Sequence, residues 1–90
     1  MMEKEFHYRI YRDNSPEIFK KHTRIIQDAF PDFNKRELLI DVDGSTYQEF
    51  EKDGKEIVLL DDYDVGAVYV ESDVDMSRIY KEDVFNDLMY

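Results

Sequence analysis

Residues 56–75, EIVLLDDYDVGAVYVESDVD, decide how the chain is read. They hold its longest apolar run, Ile57-Val58-Leu59-Leu60, and a second strand-like segment, Ala67-Val68-Tyr69-Val70. Asp61, Asp62, Asp64, Glu71, Asp73 and Asp75 punctuate the two, and neither Lys nor Arg falls within the stretch. β-Branched and aromatic residues bounded by Asp and Gly predict two strands, Ile57 to Leu60 and Ala67 to Glu71, joined by a turn. The centre of the expected fold is therefore also the most acidic part of the chain.

Immediately upstream, Asp53-Gly54 is a turn signal that would pair Phe50 with Ile57 in a hairpin. Residues 46–52, TYQEFEK, then form a strand. The alternative is a short helix, with Ser45 and Gln48 as a capping box and Gly54 as the stop. Glu37 to Val42 reads as another strand, closed by an Asp43-Gly44 turn. Alternation of Phe6, Tyr8 and Ile10 with His7, Arg9 and Tyr11 predicts a first strand near residues 5–12.

Between the first two strands, Ser15 is a suitable N-cap, Pro16 suits the first helical position, and Glu17 favours the positive end of the helix dipole. Ile18, Phe19, His22, Ile25, Ile26, Ala29 and Phe30 follow at helical spacing as one apolar stripe, and Pro31 closes the helix. His22, within that stripe, is expected to be a packed side chain with one satisfied nitrogen. Met76, Tyr80, Val84 and Leu88 recur every four residues, so a second helix is expected over Asp75 to Met89. Its apolar arc is wider than one packing face needs, which fits a helix wedged between sheet and partner or a frayed end.

The order strand, helix, four strands, helix gives an α+β domain: an antiparallel sheet of four to five strands with two helices packed on it. The unbroken run from Ile57 to Leu60 predicts a central strand covered on both faces. Two helices are scant cover for both faces, which leaves room for a homodimer or a partner surface.

Ninety residues make a single domain, spanning 1–90, with a modest core. At 42% hydrophobic residues the chain is too apolar for an acidic disordered tail. Absence of Cys excludes disulfides and thiolate metal sites. The amino-terminal MMEKEFHYR lacks the apolar core of a signal peptide, and no apolar run could span a membrane, so a cytoplasmic protein is expected. Net charge is −10, but unevenly spread: residues 1–30 carry five acids and six bases, residues 31–90 the other 17 acids and six bases. Such a field repels nucleic acid and anionic membranes and attracts basic surfaces. The ordinary alternative is that the acidity serves solubility.

The acids are also patterned. Glu49-x-Glu51-x-Asp53 and Glu71-x-Asp73-x-Asp75 place three carboxylates at a spacing of two, and Asp41-x-Asp43 and Asp62-x-Asp64 add pairs. On an extended backbone each run becomes a row of charges about 6.7 Å apart on one face. Tyr47, Tyr63 and Tyr69 lie among them as rigid interface anchors. Strand polarity brings Asp41 and Asp43 to the same end of the sheet as Asp61, Asp62 and Asp64, with Asp73 and Asp75 at the other.

Calcium-loop chemistry is not matched: from Asp41, Thr46 stands where glycine is required and Lys52 where a bidentate Glu belongs, and from Asp61, Tyr63, Val65 and Ser72 occupy ligand positions. No metal, cofactor or catalytic residue is assigned, since phosphate loop, HExxH and GxSxG signatures are all missing. The sequence resembles no known family closely enough to name. The expected function is a non-enzymatic acidic interaction protein. Its sharpest form is a DNA-mimic inhibitor, of the kind phages and mobile elements encode, that occupies a basic nucleic-acid-binding protein without itself touching nucleic acid or membrane. Glu49, Glu51, Asp53, Asp61, Asp62, Asp64, Tyr69, Glu71, Asp73 and Asp75 are its candidate partner-binding residues. The alternatives are a small structural or oligomeric domain and a divalent-cation binder.

Overall fold

The computed structural model describes residues 4–87. Strand β1 (Phe6–Tyr11) leads into helix α1 (Pro16–Ala29), and four strands follow: β2 (Asn34–Ile40), β3 (Thr46–Lys52), β4 (Lys55–Asp62) and β5 (Ala67–Ser72). They form one antiparallel sheet in the order β1-β5-β4-β3-β2. The α+β class and five-stranded sheet agree with the sequence, and residues 46–52 are strand rather than helix.

The helix begins as its sequence dictates. Ser15 Oγ accepts the Ile18 amide at 3.1 Å, Pro16 occupies the first turn, and Ile18, Phe19, His22 and Ile26 are buried. The β3–β4 hairpin closes through Asp53 and Gly54 at φ 53° and 80°, the pair of positive values a two-residue type I′ turn needs. This turn sets the register that places Phe50 opposite Ile57.

Register then sorts every side chain. Phe50, Ile57, Leu59, Val68 and Val70 point to one face and are fully buried, on the side where α1 packs over β4. We call this the inner face. The expectation that the Ile57–Leu60 run is covered on both faces is not met: burial along β4 alternates, with Ile57 and Leu59 buried and Val58 and Leu60 only half-buried. Both half-buried residues lie on the outer face beside tyrosines and glutamates of neighbouring strands, whose side chains supply partial cover without a second layer.

The second expected helix is also replaced. Residues 75–87 contain turns and irregular backbone, and Leu88 and Met89 lie outside the described residues. Helix formation is broken at Asp83, whose φ is 63°, and at Asp75, whose carboxylate accepts the Ser77 amide at 2.7 Å. The segment instead lies along the core and the β1 edge. Met76 is buried, and its amide donates to Tyr8 Oη at 2.9 Å. Phe85 bridges to Arg9 in parallel, and the Asn86 and Asp87 amides donate to the Arg9 and Ile10 carbonyls.

His22 fixes this segment to α1. Its Nδ1 lies 2.8 Å from Tyr80 Oη and its Nε2 2.8 Å from Asp87 Oδ2, so both nitrogens are satisfied rather than one. A carboxylate can only accept, so Nε2 carries the proton of the neutral ring and the Tyr80 hydroxyl donates to Nδ1. Lys21 reaches the same Asp87 oxygen at 2.9 Å. Burial drives the His22 pKa below its ordinary value, and Asp87 only partly opposes it.

Two outcomes follow from this arrangement. Tyr80→Phe removes one hydroxyl and leaves Nδ1 without its donor, and should cost about 1–2 kcal/mol in urea unfolding. A proton binds His22 less readily in the folded chain than in the unfolded one, so the stability it contributes is present above its ordinary pKa and is lost as pH falls from there through the lowered value of the folded state. The Tm should therefore drop between pH 7.5 and 5.5, and drop less in His22→Gln; a flat wild-type profile would contradict the burial-dominated environment.

Candidate functional site

With α1 and residues 75–87 committed to the inner face and the β1 edge, the outer face of the sheet has no covering layer among the described residues; only the Phe85 ring reaches it, 5.3 Å from the Arg9 guanidinium at the β1 end. Register builds it in cross-strand rows. One row runs Glu49, Val58, Glu71, His7 across β3, β4, β5 and β1. The next runs Leu39, Tyr47, Leu60, Tyr69, Arg9 from β2 to β1. A third opposes Glu51 to Glu56. An apolar and aromatic strip is thus bordered by carboxylates, and Glu49 and Glu71, two strands apart, stand about 9–10 Å from each other. Apolar centres with charged rims are the usual anatomy of protein interfaces.

At the end of the sheet where β2 meets β3 and β4 meets β5, the acids gather as strand polarity requires. Tyr47 Oη donates to Asp41 at 3.1 Å and Tyr69 Oη to Asp62 at 2.7 Å. Burial and the Asp62 carboxylate push the Tyr69 pKa far up, and the Asp41 hydrogen bond raises that of Tyr47, so both hydroxyls remain donors. Carboxylate oxygens of Asp43, Asp62 and Asp64 come within 4.8 Å of one another. The Ser45 amide holds the Asp43 carboxyl below the usual range, keeping it charged.

Glu49, Glu51, Asp62, Tyr69 and Glu71 therefore share the outer face or its acidic end, and Asp64 lies exposed in the adjoining turn. The other predicted residues do not join them. Asp61 points inward at 3% exposure, where Asn14 Nδ2 donates to it at 2.8 Å. Its parity with Ile57 and Leu59 is the cause. Asp53 is consumed by the I′ turn. The Glu71-Asp73-Asp75 row breaks because β5 ends at Ser72, whose hydroxyl turns the chain by bonding Val74. Asp73 instead accepts the Glu56 amide at 2.9 Å and lies 3.4 Å from Lys4, and Asp75 caps the turn at Ser77. Lys4 also binds Glu56 at 2.8 Å, which raises the lysine pKa and relieves the opposition of Glu51 and Glu56.

Sequence reasoning missed the Tyr80–His22–Asp87 cluster, whose partners lie 58 and 65 residues from His22. It also missed the exposure of β2, where all seven residues are solvent-accessible. The signal for β2 was present in its place between a helix and a turn, at the start of the meander, but strand order across a sheet is not written in any local pattern.

Compared with known proteins, the chain matches no family model, no curated protein and no solved structure. No helix among the described residues is long and apolar enough to cross a membrane.

If a divalent cation could be held, Asp43, Asp62 and Asp64 would hold it. Asp62 is already engaged, accepting from Tyr69 and from the Asp64 and Val65 amides, and Asp43 accepts from the Ser45 amide. Asp62 would have to exchange hydrogen bonds that hold the turn for contact with a hard cation. Calcium or magnesium at 1–5 mM, roughly the weak end of protein sites, should leave the Tm unchanged; a saturable rise that vanishes in Asp62→Asn would establish a metal site instead.

Proposed function

We propose that the protein is a non-enzymatic interaction module whose acidic-rimmed outer sheet face docks on a basic surface of another protein. One observation carries this reading: α1 lies on the other side of the sheet and residues 85–87 reach only the β1 end, so Glu49, Glu71, Tyr47, Leu60 and Tyr69 form a face without a covering layer, in which charge borders an apolar strip. The electrostatic sign selects the partner, since the chain bears 22 acids against 12 bases. A DNA-mimic inhibitor of a nucleic-acid-binding protein, of phage or mobile-element type, is the sharpest form of the proposal. Its support is that surface carboxylates fixed on a rigid sheet can imitate phosphate toward a basic groove, while the tyrosines add contact area that phosphate lacks.

Glu49→Lys combined with Glu71→Lys tests the face directly, because both residues point away from the core and the ion-pair partner of Glu71 is the exposed His7 at 3.4 Å. Asp73 and Asp75 are unsuitable, since reversing them would break contacts that hold the chain together. Immobilised protein exposed to bacterial lysate, eluted with salt and read by mass spectrometry, should retain a DNA- or RNA-binding protein that DNA competes off. The double variant should bind that protein at least about tenfold more weakly, with unchanged Tm. Retention that ignores both salt and the double variant would refute the proposal.

A further inference from the structure

The sheet has two edges, and the chain treats them differently. The β1 edge is covered by residues 85–87, through the Arg9–Phe85 bridge and the amides donated to Arg9 and Ile10. The β2 edge is open among the described residues, and every residue of β2 is exposed. Proteins usually guard such an edge with charge, proline or a bulge. The first half of β2 follows that rule: a bulge lies between Lys35 and Leu38, and the buried Gln48 side chain occupies the Arg36 carbonyl at 2.6 Å. The second half does not. Leu38, Leu39 and Ile40 pair regularly with β3 and are 50%, 45% and 70% exposed. Because the Asp41 amide bonds the Ser45 carbonyl, alternation turns the peptide groups of Leu38 and Ile40 to the open side, ready for another strand.

Beside this half-strand, between it and α1, lies a cleft of about 410 Å³. Phe19, Leu38 and Gln48 line its floor, and Lys20, Arg24 and Lys35 stand around it. None of these three cations has a carboxylate partner among the described residues, in a chain with ten more acids than bases. The one acid lining the cleft, Asp61, is buried against Asn14. The exposed charges lining the cleft are thus all cationic, opposite in sign to the molecule as a whole.

We infer that the Leu38–Ile40 edge and this cleft accept an extended acidic segment of a partner protein, added to the sheet as a sixth strand. Its backbone bonds the free peptide groups of Leu38 and Ile40. Alternate carboxylates reach Lys20, Arg24 and Lys35 on the inner side, and the intervening apolar residues lie beside Leu39 on the outer side. A second copy of the chain fits worse. The two-fold register that pairs Leu38 with Ile40 sets Glu37 against Asp41, and it brings two sets of the same cations together. This docking edge is separate from the acidic outer face and does not depend on the function proposed for it.

The test is a random seven-residue peptide library displayed on phage, selected against immobilised protein and counter-selected on a Lys20→Glu, Arg24→Glu variant. Selected peptides should carry Asp or Glu at alternate positions. As free fluorescent peptides they should bind the wild type saturably and the charge-reversed variant at least tenfold more weakly. Ile40→Pro, which removes one outward amide from an edge position, should weaken them to a similar degree, while Glu49→Lys should not. Circular dichroism melts confirm that each variant is folded. Absence of enrichment, enrichment of peptides without acids, or affinity indifferent to Lys20, Arg24 and Ile40 would overturn the inference. So would a wild-type dimer in sedimentation velocity that Ile40→Pro dissolves, which would give the edge to a second copy.

Discussion

One helix has to cover five strands, and that shortage shapes the molecule. A helix of 14 residues is about 21 Å long and 10 Å wide, whereas five strands at about 4.8 Å spacing span roughly 20 Å or more. α1 settles over β4, at the centre of the sheet, where Ile57 and Leu59 are wholly buried. Residues 75–87 complete the cover toward β1, with Met76 and Tyr80 filling the space that α1 does not reach. Nothing of the described chain remains for β2. The exposure of Leu38 and Ile40, both on the inner side of the sheet, is thus a consequence of arithmetic as much as of local sequence. The outer face is bare for the same reason.

This division also sorts charge. Lys20, Lys21 and Arg24 project from the helix side, while Glu49, Glu51, Glu56 and Glu71 lie on the opposite side of the sheet. Part of the contrast between a nearly balanced first third of the sequence and a strongly acidic remainder is thereby laid across the sheet, with three lysine and arginine side chains of α1 on one side and four glutamates on the other. A molecule so polarised meets charged partners in a preferred orientation before any contact forms, an effect that salt at physiological strength confines to about 8 Å.

Much of this was legible in advance where one residue type had one physical role. Ser15-Pro16 could only start a helix, and Asp53-Gly54 fixed a hairpin whose register paired Phe50 with Ile57. The gathering of Asp41 and Asp43 with Asp62 and Asp64 at one end followed from strand polarity alone. Asp61 was legible too, since it shares parity with Ile57 and Leu59, but treating the acidic stretch as one surface concealed it. Residues 75–87 misled because a spacing of four arose from two separate tasks: Met76 and Tyr80 pack into the core, whereas Val84 and Phe85 remain 45% and 36% exposed along the β1 edge. Periodicity records which residues are apolar, not whether one element buries them all. The Ile57–Leu60 run misled for a related reason, since Val58 and Leu60 are sheltered by neighbouring outer-face side chains rather than by another layer.

The place of β1 in the sheet has a consequence for how the chain is made. β2 to β5 form a meander of successive hairpins, each able to close as soon as its two strands exist. β1 has no such neighbour: its partners are β5 and residues 85–87, both at the far end of the sequence. At synthesis rates of about 5–20 residues/s, the first strand emerges and then waits roughly 3–12 s for its complement. During that interval Tyr8 and Ile10 have no core to enter, and the first segment to be synthesised is among the last to be folded.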